Sequence, residues 1–273
     1  MKTDDKYESL KEYIKKFGSV AVAFSGGADS ALLLYAAKEA LGHKNIAAIT
    51  VSSDLVTDEE IKNAEEFCKN ENVRHVICYA APLEIKEFVL NPPERCYICK
   101  KEIFKKIKNV ALGLNIDTII EGSNADDLND YRPGMRAVRE MGAKSPLQEL
   151  GLKKSEIREM SEKIGLETSK KPSGACLASR IAYGEEITKE KLQSIKKAED
   201  VLKKAGFMQV RVRSHGEIAR IEILESEFEK LILLKNQIYE EIKKCGFLYV
   251  TLDLKGYRTG SMNDVLKKES EER

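Results

Sequence analysis

A single hexapeptide, Ser25-Gly26-Gly27-Ala28-Asp29-Ser30, restricts this chain more than any other feature. It follows an apolar run of strand length (residues 19–24) and opens a pattern of Ala31, Leu32, Leu34, Tyr35 and Ala37 that reads as a helix ending near Gly42. A strand, a tight glycine turn and a helix start in that order place unpaired backbone N–H groups and the positive helix end at one point, which favours an anion. A tight turn with a helix cap would need only one Gly and one Ser or Asp. Two glycines for close backbone approach and two serine hydroxyls as added donors point instead to phosphate.

The alternation continues downstream. Residues 46–51 and 73–78 read as buried strands, and Thr57-Asp58-Glu59-Glu60 has the capping-box form and opens a helix to about Asn70. A helix is expected over 95–114, then a fourth strand over 117–121 running into Gly122-Ser123-Asn124. Strands alternating with helices predict an α/β fold on a parallel sheet, with ligands at the carboxyl ends of its strands. Residues 125–151, rich in Asp, Gly and Pro, read as a functional loop, followed by a helix over 153–164 and an irregular stretch over 167–186. The style then changes to a helix (188–205), two strands (209–213 and 218–224), a helix (228–243) and a strand (247–252). The expected organisation is a nucleotide domain over 1–186 and a smaller α+β domain over 187–273, whose last charged residues, 267–273, fray.

Composition enters mainly by exclusion. A net charge of +1, from 46 basic and 45 acidic residues, provides no general attraction to nucleic acid or an acidic membrane. No run approaches the roughly 18 apolar residues of a membrane helix, and the first six residues lack an apolar signal core. A cytoplasmic protein is expected, in which six cysteines serve as thiols or metal ligands and not as disulfides.

The hexapeptide lacks the GxxxxGK[ST] pattern of ordinary phosphoryl-transfer NTPases. It resembles the SGGxDS loop of the N-type ATP pyrophosphatases (PP-loop enzymes with an adenine nucleotide α-hydrolase-like fold), which include GMP and NAD synthetases and several thiolation enzymes. The resemblance implies cleavage of ATP between its α and β phosphates. Ser25, Gly26, Gly27, Asp29 and Ser30 would hold pyrophosphate, Mg2+ would bridge the phosphates, and Asp29 would be its ligand or organiser. Gly122 would let AMP approach, and Ser52 would line the adenosine pocket.

Cys96-Tyr97-Ile98-Cys99 starts an expected helix just after Asn91-Pro92-Pro93, flanked by Arg95, Lys100 and Lys101, which favours ionised thiols. A third cysteine, Cys176, lies in the loop 171–180. Cys68, Cys78 and Cys245 fall on helix or strand faces and read as small packing hydrophobes. Three thiolates with one open position suit a [4Fe–4S] cluster bound at three corners better than a closed zinc site.

Gly122-Ser123-Asn124-Ala125-Asp126-Asp127, Asp130-Tyr131-Arg132-Pro133-Gly134, Ser145-Pro146-Leu147, the Cys176 loop and Gly256-Tyr257-Arg258-Thr259-Gly260-Ser261-Met262-Asn263 occur in this order. Together they resemble the LarE family of sulfur transferases, which act in synthesis of the nickel-pincer nucleotide cofactor used in lactate racemase maturation. The resemblance covers nearly the whole chain. It implies adenylylation of the carboxylates of pyridinium-3,5-biscarboxylic acid mononucleotide and their conversion to thiocarboxylates. Cys176 matches the sulfur-bearing cysteine, which in single-cysteine members gives up its own sulfur and becomes dehydroalanine. Cys96 and Cys99 depart from that version and favour the cluster-bearing one, with Cys96, Cys99 and Cys176 as ligands. Arg211 and Arg213 alternate with valines on an expected strand and so share a face. With Arg180, they are expected to receive the substrate phosphate, and the resemblance implies that such arginines come from a neighbouring subunit of a homo-oligomer, a hexamer. His215 beside Gly216 reads as a turn residue. The rival readings are a tRNA thiolation enzyme, a GMP- or NAD-synthetase-like amidating enzyme and a non-catalytic nucleotide sensor. A small-molecule nucleotide substrate, with no nucleic acid or membrane partner, fits the charge balance best.

Overall fold

The computed structural model describes residues 3–129, 133–170 and 176–265. Asp130, Tyr131 and Arg132 of one motif, residues 171–175 of the Cys176 loop and the charged tail 267–273 lie outside the described residues. In chain order the elements are α1 (Thr3–Lys15), β1 (Val20–Ala23), α2 (Ala28–Leu41), β2 (Ile46–Ser52), α3 (Asp58–Asn70), β3 (His75–Tyr79), α4 (Lys86–Val89), α5 (Arg95–Gly113), β4 (Ile119–Glu121), α6 (Gly134–Glu140), α7 (Pro146–Glu149) and α8 (Lys154–Ile164). They continue with α9 (Lys189–Lys204), β5 (Arg211–His215), β6 (Ile218–Glu222), α10 (Phe228–Leu233), α11 (Lys235–Lys243) and β7 (Tyr249–Leu252).

The chain divides into two compact units. The first comprises Met1–Pro82 and Glu94–Gly174, the second Leu83–Pro93 and Ala175–Arg273. In the first, a parallel sheet has the order β3-β2-β1-β4, with Val20 opposite Ile46 and Ala21 opposite Ile119. The period of two along each strand sends residues to opposite faces. Val20, Val22, Ile46 and Ala48 join Leu10 and Ile14 of α1, Leu32 to Leu34 of α2, Ala64 and Cys68 of α3 and Ile157 and Met160 of α8 in one core. Ala21, Ala47 and Ile49 join Phe104 and Ile107 of α5 and Val138 of α6 in another. Helices on both faces are what continuous apolar strands require. Thr57 caps α3 through its side chain, with Glu60 returning to the Thr57 backbone in the expected capping box.

The order also fixes where a ligand belongs. The chain runs from β1 outward to β2 and β3, then returns to the other side of β1 as β4, so a switch point lies between the carboxyl ends of β1 and β4.

The second unit has a three-stranded sheet of order β5-β6-β7, with β5 and β6 antiparallel and β6 and β7 parallel. Three findings differ from the sequence expectation. Residues 175–186 group with this unit and not with the nucleotide domain, because Ile181 forms a parallel bridge to Ser214 of β5. The segment Leu83–Pro93 also belongs to it. The Ile187 N–H donates to the Val89 carbonyl (2.9 Å), and fully buried Asn91 donates to the Ala182 carbonyl (2.7 Å). Finally, the helix expected over 228–243 is two helices, interrupted at Leu234 (φ −96°, ψ 5°), although no Gly or Pro marks the break.

Candidate functional site

The glycine loop joins β1 to α2 at the switch point. Gly26 adopts a left-handed φ of +71°, which only glycine takes without strain, and Gly27 is the extended N-cap of α2 without a capping side chain. The first-turn N–H groups of α2 are therefore left for something else. Ser30 Oγ donates to the Gly27 carbonyl (3.1 Å) and accepts from the Ser25 N–H (3.3 Å), and Ser25 Oγ lies 3.1 Å away. These bonds tie the two ends of the loop together before any ligand arrives. Ser52 closes β2 on the neighbouring strand and is half-buried.

Gly122, directly after β4, serves the loop itself. A Cβ there would stand 3.0 Å from the Ser30 nitrogen and 3.2 Å from the Asp29 carbonyl carbon. The missing side chain lets the backbone at the start of α2 lie against the end of β4. Neither side of that contact is a movable side chain, so Gly122→Ala is expected to cost about 1–3 kcal/mol. Urea unfolding would show it as a lower midpoint with an unchanged slope.

Asp29, in the first turn of α2, meets Lys154 of α8 with Nζ to Oδ2 at 2.5 Å. Its other oxygen, Oδ1, is shut off from solvent and has no hydrogen-bond partner among the described residues. A hard oxygen left uncompensated beside an anion-binding loop fits a Mg2+ ligand. The loop after β4 is tightly tied. Buried Glu121 accepts from the Ser123 N–H (3.1 Å), from Ser123 Oγ (2.8 Å) and from Ser145 Oγ. Asp127 accepts from the Asn124 N–H (3.0 Å), and Asp126 accepts from the Lys154 N–H (2.8 Å).

Cys96 and Cys99 share the first turn of α5, Cys96 exposed and Cys99 buried. Their basic neighbours are engaged elsewhere. Arg95 is buried, Lys100 lies over the Phe104 ring (5.4 Å) and Lys101 over that of Tyr97 (5.5 Å). Gly134 opens α6 against this turn, where a Cβ would meet Lys100 Cγ at 3.0 Å and the Cys96 carbonyl oxygen at 3.3 Å. Two thiols three positions apart on one helical turn suit a soft metal centre in kind. Among the described residues, no three His, Cys, Asp or Glu side chains are grouped as a metal site. Cys68 is buried in the core, and that burial pushes its thiol up to about 12, as expected of an inert packing residue. Burial also raises Cys78 and Cys245.

Cys176 belongs to the second unit, where it is exposed just before a short 3₁₀ turn, Leu177–Arg180. Arg180 and Arg213 do not present free guanidinium groups for a phosphate. Both are buried, Arg180 against Glu199 (Nε to Oε1, 2.9 Å) and Arg213 against fully buried Glu222 (Nη2 to Oε2, 2.7 Å). Each also holds the Cys176 loop. Arg180 Nη1 donates to the Cys176 carbonyl (3.0 Å), and Arg213 Nη1 donates to the Ser179 carbonyl (3.3 Å). Removing one partner of such a pair leaves an uncompensated buried charge, so these arginines are fixed in place. Arg211 is half-buried, with its guanidinium 5.4 Å from the Tyr257 ring centre and its Nη1 donating to the Val210 carbonyl (2.7 Å). Burial and the nearby Arg180 charge lower its pKa. His215 closes β5 beside Gly216, and burial, with Arg220 nearby, lowers its pKa.

Thus the structure brings Ser25, Gly26, Gly27, Asp29 and Ser30 together with Gly122 in the first unit, places Cys96 and Cys99 on one turn of that unit, and gathers Arg180 and Arg213 around the Cys176 loop in the second. Sequence reasoning missed Lys154, Glu199 and Glu222. The two glutamates carry no local signal, Glu199 being one of three acids on amphipathic α9 and Glu222 the acid that ends β6. Lys154 opens α8, beyond α6 and α7, a position only topology connects to Asp29.

Residues 3–88 match the NAD synthase family model. An uncharacterized protein of Synechocystis sp. is 39% identical over 267 residues, 97% of this chain and 99% of that one. A pyridinium-3,5-bisthiocarboxylic acid mononucleotide synthase of Lactiplantibacillus plantarum is 36% identical over 96% of this chain and 95% of its own. A glutamine-hydrolysing GMP synthase subunit of Thermoplasma volcanium is 28% identical over 72% of this chain and 66% of its own. The NAD synthase likeness stops soon after β3, whereas the first two relatives match through both units.

Proposed function

This chain belongs to the family of the pyridinium-3,5-bisthiocarboxylic acid mononucleotide synthases, and on that premise we propose that it carries out the same ATP-dependent sulfur transfer. A carboxylate oxygen of pyridinium-3,5-biscarboxylic acid mononucleotide attacks the α-phosphorus of ATP, and pyrophosphate leaves. A sulfur nucleophile then attacks the acyl carbon, and AMP leaves with one of the original carboxylate oxygens. Two such rounds convert both carboxylates to thiocarboxylates in nickel-pincer cofactor synthesis.

The observation that carries the reading is the hydrogen-bonded loop of residues 25–30 at the switch point of a parallel sheet. Its uncapped helix start and left-handed Gly26 offer backbone donors to the β and γ phosphates, and no P-loop lysine is present. Asp29 would hold Mg2+, which neutralises phosphate charge when bound. Gly122 keeps the loop against β4, and Ser52 stands on the adenosine side. Adenylylation makes the carboxylate carbon electrophilic, which a free carboxylate is not. The role assigned to the second unit is presentation of Cys176, whose carbonyl and loop Arg180 and Arg213 hold in place.

Cys96, Cys99 and Cys176 form the proposed ligand set of a [4Fe–4S] cluster. With three protein ligands, such a cluster would keep one iron open as the site for the transferred sulfur. The soft donors and the shared turn of Cys96 and Cys99 support this. A cytoplasmic setting suits it too, and no described helix is long and apolar enough to cross a membrane. The homo-oligomer implied by the family is in keeping with exposed apolar side chains of the second unit such as Leu233 and Leu254.

The test is product identity. Incubated anaerobically with ATP, Mg2+ and the dicarboxylate, the protein should release AMP and pyrophosphate only when the dicarboxylate is present. Formation of ADP and orthophosphate, or amide formation from ammonia, would overturn the assignment.

A further inference from the structure

The pyrophosphate loop contains an acidic residue and no basic one. That is an odd composition for binding a polyanion, since Asp29 opposes the phosphates that the helix dipole attracts. The structure supplies the missing cation from Lys154, the first residue of α8, a quarter exposed and 2.5 Å from Asp29.

Its placement is built, not incidental. Fully buried Leu152 anchors the chain just before it and accepts from the Ala125 N–H (2.8 Å). Asp126 accepts from the backbone N–H of Lys154 itself (2.8 Å). Glu156 accepts from the Lys153 N–H (2.9 Å) and pairs with Lys6 of α1 (2.6 Å). The backbone of Lys154 is therefore held by the loop after β4, while its side chain reaches back to the loop after β1. The ammonium spans the two carboxyl-end loops that flank the switch point. A partly exposed ion pair contributes little to stability on its own. The oxygen of Asp29 left without a partner shows that Lys154 does not complete the environment of that carboxylate.

We propose that Lys154 is the phosphate-binding lysine of this site: it neutralises Asp29 in the empty protein and donates to a phosphate oxygen when ATP is bound. The same role falls to the loop lysine of P-loop enzymes, but here the residue arrives from a different strand–helix connection. The inference rests on the ATP-dependent reading above and adds to it the residue that meets the phosphate charge.

Calorimetric titration of the full-length protein with ATP and with AMP, in Mg2+ and without the dicarboxylate, tests it. Lys154→Gln should weaken ATP binding about ten- to a hundredfold, the range of one charge-assisted hydrogen bond. Lys154→Arg should recover part of that loss, and AMP affinity should change less than threefold in either variant. The loss should persist when Lys154→Gln is combined with Asp29→Asn. If it vanishes in the Asp29→Asn background, Lys154 serves only to neutralise the carboxylate and the proposal fails. It fails equally if Lys154→Gln binds ATP as the parent does, or loses AMP as strongly as ATP. A parent protein that binds no ATP overturns both this inference and the reaction assigned above, whereas normal ATP binding by Lys154→Gln overturns this inference alone.

Discussion

Asp29→Asn is expected to abolish dicarboxylate-dependent pyrophosphate release, with a drop on the order of a thousandfold or more, while ATP still binds. The amide keeps the size and one acceptor oxygen but removes the charge that Mg2+ needs, and metal charge stabilisation of several kcal/mol corresponds to three or more decades of rate. Binding should survive because the loop's backbone donors, its serines and Lys154 are untouched, and loss of the carboxylate removes a repulsion from the phosphates. The fold should survive as well, since Asp29 is partly exposed and outside both hydrophobic cores. Quenched-flow measurement of pyrophosphate beside ATP titration separates the two effects. A variant that releases pyrophosphate at the parent rate would remove Asp29 from the mechanism.

The second large effect concerns the thiols. If the proposed cluster is present, changing Cys96, Cys99 or Cys176 to Ala is expected to remove the brown chromophore it would give anaerobically prepared protein and to reduce sulfur transfer to background. ATP binding should be spared in all three. Cys99 is buried, so Cys99→Ser, which keeps the side-chain size, accompanies the alanine variant as a control for folding. A different outcome decides for the sacrificial mechanism. If the Cys96 and Cys99 variants each retain one turnover per chain and mass spectrometry finds dehydroalanine at position 176, the sulfur comes from Cys176 itself.

How much of this is legible in the sequence follows from the range of the forces involved. The parallel sheet is legible because strands buried on both faces read as continuous apolar runs, and the loop is legible because its glycines, serines and helix start are contiguous. The helix α1 is not, since Leu10 and Ile14 are its fully buried anchors in an otherwise strongly charged stretch. The arginines show the limit most clearly. Alternating Arg and Val on a strand promise a charged face toward a ligand, yet Arg213 turns to Glu222 on the paired strand, and Arg180 turns to Glu199 on α9. Whether a charge faces a substrate or a buried partner depends on residues distant in sequence. Lys154 is hidden for the same reason, lying 125 positions from the carboxylate it meets.

The segment Leu83–Pro93 gives the second unit a history as well as a shape. The polypeptide passes from one unit to the other at 82/83, 93/94 and 174/175, so no cut at a single bond yields both units whole. A fragment beginning at residue 175 lacks Phe88 and Asn91, both buried in the intact protein, and one ending at 174 carries them without their partners. On the ribosome this short segment emerges well before the strands of its own unit, an interval on the order of ten seconds at usual elongation rates. During that interval the nucleotide-binding sheet can assemble around β1 and β4, while the buried side chains of the segment wait for a core that has not yet been made.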